Sequence, residues 1–174
     1  MRIFATRLDV STTHPKLSLI SPTLTTGKTK IGNQGTSIKT SDIAPCTDLY
    51  RNAPSGKPGR AVLSSSRNTP RDLVQAEGTA VLRIEILERH PYTTQAFTPM
   101  GGDSERAYMV VVADSLEDGS PDVSSIKAYA MKGNEGICYV AGVWHAPMAV
   151  IGQVRAKTRL VADIRLSISR SFST

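Results

Sequence analysis

The sequence is short of aromatic residues, of cysteine and of long apolar runs, and each shortage excludes something. Aromatics make up 5% of the 174 residues, with one tryptophan. They are not interleaved with the basic residues at either end, so no specific nucleic-acid partner is expected. The two cysteines, Cys46 and Cys138, match no metal-binding spacing, and two unpaired thiols in a reducing, cytoplasmic setting are expected. No apolar run approaches the roughly 18 to 20 residues that span a bilayer, so no membrane association is expected. A convincing long helical periodicity is missing as well. The hydroxyl-rich N-terminus resembles an organelle transit peptide only in composition, since it lacks amphipathic periodicity and carries Asp9.

What is present is enough chain for one domain with a real core. The formal net charge is +6, but it is unevenly placed. Residues 1–40 and 154–174 are both basic, whereas residues 75–135 hold five basic against ten acidic side chains. The basicity therefore belongs to the ends and supports nothing beyond nonspecific attraction to polyanions.

Short strand-like runs separated by turns fill the middle of the chain. Val81 to Leu87, reading VLRIEIL, alternates with period two. Ala107 to Ala113 is continuously apolar, as in a strand buried on both faces. Ala61–Leu63, Ile126–Met131, Ile137–Val140 and Ala149–Gly152 read as further strands, with Asp114 to Ser125 as an acidic loop. The segment around Gly32 to Lys39 is a turn feeding a short strand, and Thr47 to Arg60 is a long Pro/Gly loop. The pattern predicts an all-β barrel or sandwich. Three segments are expected: loosely ordered or weakly paired residues 1–31, a β-domain over 32–153, and a basic segment 154–174 that is either a strand or a tail.

The stretch from Glu88 to Gly101, ERHPYTTQAFTPMG, concentrates the polar chemistry. If the strand continues to His90, Glu88 and His90 share one face and Arg89 takes the other. Pro91 then ends the ladder because it has no N–H to donate. An acid and an imidazole at a strand end form a candidate proton-transfer pair, although on these residues alone a rim ion pair or a satisfied structural histidine is the plainer reading. Gly142 to Met148, reading GVWHAPM, repeats the arrangement: His145 follows a strand and turn, with Pro147 two residues on. Trp144 is expected as a core or rim anchor, Tyr92 and Phe97 as wall residues, and His14 has no assigned role.

Taken together and in order, ERHPYTTQAFTPMG, AYMVVVA and GICYVAGVWHAPMAVIG resemble the ureidoglycolate lyase family, its fungal branch above all. The earlier strings NQGTSIK and DLYRNAPSGKPGRAVL are similar to the same family, and the likeness covers about residues 32–152. The resemblance implies a cupin-like β-barrel that releases urea from (S)-ureidoglycolate to leave glyoxylate in allantoin degradation. It also implies a homodimer and a divalent metal, nickel in some assignments, without nucleotide or organic cofactor. Glu88, His90, Gln95 and Gly101 look like a degenerate first cupin motif, with a carboxylate in place of the first histidine and an amide in place of glutamate. Gly142 and His145 resemble the second motif. Glu88, His90 and His145 are thus the candidate metal ligands, with a metal-free polar pocket as the alternative.

Ureidoglycolate is a hemiaminal, so elimination needs a base for the hydroxyl proton, an acid for the departing nitrogen and a cation or N–H donors for the carboxylate. His90 or His145 is the expected base, with Glu88 orienting it or alternating as acid. Lys39 is the candidate for the carboxylate, and Asn33 and Gln95 for the urea amide groups. Residues 1–31 and 154–174 depart from the family pattern, which keeps two other readings open: an inactive paralogue or misassembled gene product with a ligand-binding barrel, and a cupin enzyme with other metal chemistry.

Overall fold

Six consecutive residues, Tyr108 to Ala113, are each 3% exposed or less, and the fold is layered around them. They belong to β8 (Tyr108–Ser115), whose alternate side chains enter two different cores. Met109, Val111 and Ala113 join Ala80, Leu82 and Ile84 of β6 (Thr79–Leu87). Tyr108, Val110 and Val112 join Leu17 and Leu19 of β2 (Leu17–Ile20), together with Ile137 and Tyr139 of β10 (Gly136–Tyr139). A strand with apolar residues on both faces must be covered on both, and these two clusters cover it.

The structure is a computed structural model and describes residues 2–7, 14–21, 28–76, 79–100, 104–151 and 160–168. Gly101, Gly152 and Gln153, and the parts of the expected end segments at 1, 8–13, 22–27, 154–159 and 169–174, lie outside the described residues. The remaining strands are β1 (Arg2–Arg7), β3 (Lys28–Gly32), β4 (Ser37–Ser41), β5 (Val74–Ala76), β7 (Gln95–Phe97), β9 (Pro121–Met131), β11 (Trp144–His145), β12 (Ala149–Val150) and β13 (Leu160–Ile168). Two single-turn 3-10 segments, Asn33–Gly35 and Tyr50–Asn52, are the helical pieces among the described residues.

The large sheet runs β11-β8-β9-β1-β13-β6-β5, with β12 also paired to β8. β1 lies parallel to β9 and antiparallel to β13, and β13 lies parallel to β6, so strands from both chain ends stand mid-sheet. For residues 154–174, the strand alternative is realised over Leu160–Ile168. A second sheet, β2-β10-β7, covers the other face of β8, and β3 and β4 form a separate hairpin.

The all-β class is as expected, but these sheets do not close into the anticipated cupin-like β-barrel. Beyond the stretch of β6 that β5 covers, the chain meets β11 at the sheet edge through an isolated antiparallel bridge between Glu88 and His145 rather than a ladder. The cause is local: on one side a single further bond, to the His90 carbonyl, precedes the turn at Pro91, and on the other Pro147 has no N–H to donate.

Two sequence-based expectations change in detail. Asp114 to Ser125 is not all loop, because β8 continues to Ser115 and β9 starts at Pro121, with Asp114 opposite Asp122 and Ser115 opposite Pro121. Proline is tolerated at a first strand position, and Asp122 receives the Ser124 N–H at 2.9 Å, stabilising the polar end of the hairpin. Ala61–Leu63 forms no strand; Leu63 is fully exposed and Val62 largely so, and the following serines offer no bulk to bury.

Candidate active site

The site is assembled where β6 runs out beside β11. The Glu88 N–H donates to the His145 carbonyl at 2.8 Å, and the His145 N–H donates to the Glu88 carbonyl at 2.9 Å. Such a doubly bonded antiparallel pair places both side chains on one face. Two residues on, the His90 carbonyl accepts the Gly142 N–H at 2.9 Å. Gly142 has φ of 83°, a left-handed conformation that glycine adopts without Cβ strain, and this turn brings β11 back along Glu88 and His90.

Strand parity therefore works as the alternation predicts. Glu88, His90 and His145 converge, with one ligand atom from each lying within 4.8 Å of the others. Arg89 and Trp144 take the opposite face, where the guanidinium stands 4.9 Å from the indole centroid. Trp144 is fully buried and its Nε1–H donates to the Gly119 carbonyl at 3.2 Å, which makes it the expected core anchor.

His145 is the best defined of the three. It is 3% exposed, and its Nδ1 lies 3.0 Å from the Val143 carbonyl. A carbonyl can only accept, so Nδ1 carries the proton and the Nε2 lone pair is left, 3.8 Å from Glu88 Oε1. Burial lowers the imidazole to about 4, overriding the Val143 hydrogen bond, with the neighbouring His90 contributing in the same direction. Burial also lowers His90, against the opposing pull of the Glu88 charge. Both imidazoles are thus biased towards the neutral form that a base or a metal ligand requires.

The ring of Tyr139 stacks on His145 with centroids 4.2 Å apart and planes at 17°, while Phe97 meets Tyr139 edge-on at 6.0 Å. His90 packs against His145 from another direction at 5.5 Å. Gln95 is directly opposite Tyr139 in the β7–β10 pairing, so it sits on the wall of the same site. Burial, followed by the charges of Tyr108 and Glu88, raises the Tyr139 phenol far above its usual range and keeps it a neutral O–H.

Sequence reasoning missed Tyr139. Its only signal was the alternation in Gly136–Tyr139, which puts Tyr139 on the same face as Ile137 but does not say what lies opposite. Lys39 and Asn33 are placed differently from the triad: both are exposed and belong to the β3–β4 hairpin, which pairs with no other strand among the described residues. His14 is 3% exposed, with Nδ1 accepting the Lys16 N–H at 3.3 Å and Nε2 4.0 Å from Asp114. Cys46 and Cys138 are both free, the first exposed and the second buried.

The sequence profile of the ureidoglycolate lyase family matches residues 2–165, a wider span than the residue strings alone suggest. The chain belongs to the ureidoglycolate lyase family. Curated ureidoglycolate lyases are similar to it along much of its length: that of Schizosaccharomyces pombe is 38% identical over 122 residues, 70% of this chain and 64% of the relative. The Saccharomyces cerevisiae ureidoglycolate lyase is 48% identical over 71 residues, 40% of this chain and 36% of the relative. A bacterial ureidoglycolate lyase from Burkholderia mallei is 34% identical over 122 residues, 70% of this chain and 61% of the relative. The chain thus spans less than two thirds of the length of these relatives.

Proposed function

We propose that this protein is a ureidoglycolate lyase that eliminates urea from (S)-ureidoglycolate and leaves glyoxylate, a step of purine nitrogen catabolism. The observation that carries the reading is the convergence of Glu88, His90 and His145 in a chain of this family. In the reaction, a base removes the hydroxyl proton, the C–O bond becomes C=O, the C–N bond breaks and the departing nitrogen takes up a proton. His145 Nε2 is the base best supported by its fixed tautomer, with His90 beside it and Glu88 close enough to orient the pair or pass the proton on.

Two imidazoles and a carboxylate suit a divalent transition ion such as nickel, and the Val143 carbonyl holds His145 in the tautomer that presents Nε2. Glu88, His90 and His145 would hold that ion, which when bound would polarise a substrate oxygen; the single Nε2 lone pair then serves the ion, and the base role of His145 belongs to the metal-free site. Gln95 is assigned to the ureido group, and Asn33 and Lys39 of the hairpin to the urea amide and the carboxylate. We further assign the catalytic domain to residues 32–153, with β1, β2 and β13 from the segments 1–31 and 154–174 completing its sheets, and the working form to a cytoplasmic homodimer.

The test is a coupled assay for glyoxylate with purified protein and ureidoglycolate, with urea quantified in parallel. Equimolar glyoxylate and urea above the spontaneous rate support the reading; no release above that rate, with or without added nickel or manganese, overturns it.

A further inference from the structure

Among the described residues, two buried side-chain polar atoms lack a hydrogen-bond partner, the Tyr139 hydroxyl and Gln95 Oε1. Folded proteins pair nearly all such atoms, and those left over require a reason. These two do not lie at random. Gln95 and Tyr139 are Cα partners across β7 and β10, with side chains on one face, and the Tyr139 ring lies flat on His145. Tyr139 is itself 2% exposed, so bulk water does not satisfy its hydroxyl.

The chemistry of the pair is asymmetric. Gln95 Oε1 can only accept, and the neutral Tyr139 O–H is available to donate. A carboxylate would accept from the Tyr139 O–H but be opposed by the Gln95 oxygen, and an ammonium would donate to Gln95 Oε1 but leave the Tyr139 proton without an acceptor. A ureido or carboxamide group carries an N–H donor and a carbonyl acceptor side by side and satisfies both.

Resting on the lyase reading of the neighbouring triad, we propose that Tyr139 and Gln95 form the subsite for the ureido end of the substrate. Gln95 Oε1 accepts from a ureido N–H, and Tyr139 O–H donates to the ureido carbonyl. This seats the leaving group beside the His145 ring and directs the hemiaminal carbon towards Glu88, His90 and His145. Tyr139 becomes a binding residue that selects ureido acids over simple hydroxy acids.

The probe is N-carbamoylglycine, a stable ureido acid without the reacting hydroxyl, titrated calorimetrically into the wild-type chain and into Tyr139→Phe and Gln95→Leu. Each substitution is expected to weaken binding about tenfold, while glycolate, which has no ureido group, binds all three proteins alike. Phe keeps the ring contacts with His145 and Phe97, so melting temperature should be unchanged or raised; should Tyr139→Phe unfold, Gln95→Leu alone decides. Equal N-carbamoylglycine affinity in the wild type and the folded variants, or none in the wild type, overturns the subsite, even if ureidoglycolate is turned over. Variant-sensitive binding without any glyoxylate release sustains the subsite and rejects the lyase reading.

Discussion

Glu88 and His145 exchange both backbone hydrogen bonds, at 2.8 and 2.9 Å, across a bridge that joins the end of β6 to β11 at the edge of the large sheet. The contact that brings β6 and β11 together is therefore also the one that holds an acid next to an imidazole. Because the bridge uses main-chain atoms, either side chain can be changed without removing it.

His90→Ala is the sharpest test of the triad. His90 is half-buried rather than deep in the core, so the variant should remain folded while glyoxylate release falls about 100-fold or more. Turnover within a factor of two of wild type, at matched circular dichroism, would remove His90 from the mechanism.

Metal binding can be separated from turnover. After chelator treatment, titration with nickel should show one site per chain, and Glu88→Gln or His90→Ala should weaken it at least about tenfold. An affinity indifferent to both substitutions would place the ion elsewhere on the chain.

Arg89 provides the control for strand parity. It lies over Trp144 on the face opposite the triad, so Arg89→Ala should leave kcat within about twofold and cost roughly 0.5–1 kcal/mol of stability through the lost cation–π contact. A large fall in kcat with an unchanged unfolding midpoint would mean that the two faces are not independent.

Much of this arrangement was legible in the sequence, because a period of two decides sides. Glu88 and His90 on one face with Arg89 on the other, and Tyr108 to Ala113 buried on both, follow from alternation and apolar continuity alone. What alternation cannot supply is the partner across a ladder. Tyr139 opposite Gln95 depends on which strands pair and in which register. The polar end of the β8–β9 hairpin reads as loop because it is acidic and contains Gly119 and Pro121, yet backbone pairing continues through Asp114 opposite Asp122 and Ser115 opposite Pro121. Ile31 and Ile38 lie opposite each other and are both largely exposed, on a hairpin whose apolar residues suggested no such isolation.

Acid should destabilise the fold through its buried histidines. An unfolded imidazole titrates near 6.5, whereas burial holds folded His145 at about 4 and lowers His14 as well. The unfolded chain therefore binds more protons between these values. The His145 contribution is complete above pH 6.5 and declines as the pH falls towards 4, by on the order of 3 kcal/mol in total. Urea denaturation at stepped pH values should show this slope, reduced in His145→Gln; an unchanged slope in the variant would assign the acid sensitivity to other groups.

The hairpin lysines offer an internal comparison for the carboxylate assignment. Lys30 and Lys39 are Cα partners in β3 and β4, so they present two ammonium groups on one side of the same exposed hairpin. If Lys39 meets the substrate carboxylate directly, Lys39→Ala should raise KM for ureidoglycolate about tenfold. Lys30→Ala should change it little, and should slightly stabilise the hairpin by removing a like-charge pair. If the hairpin merely contributes a diffuse positive field, the two substitutions should be equivalent and both effects should fade in 0.5 M salt, roughly where the screening length drops below 5 Å. Steady-state KM for the two variants at low and high salt decides between a specific contact and a field, and equal, salt-sensitive effects would remove Lys39 from the site.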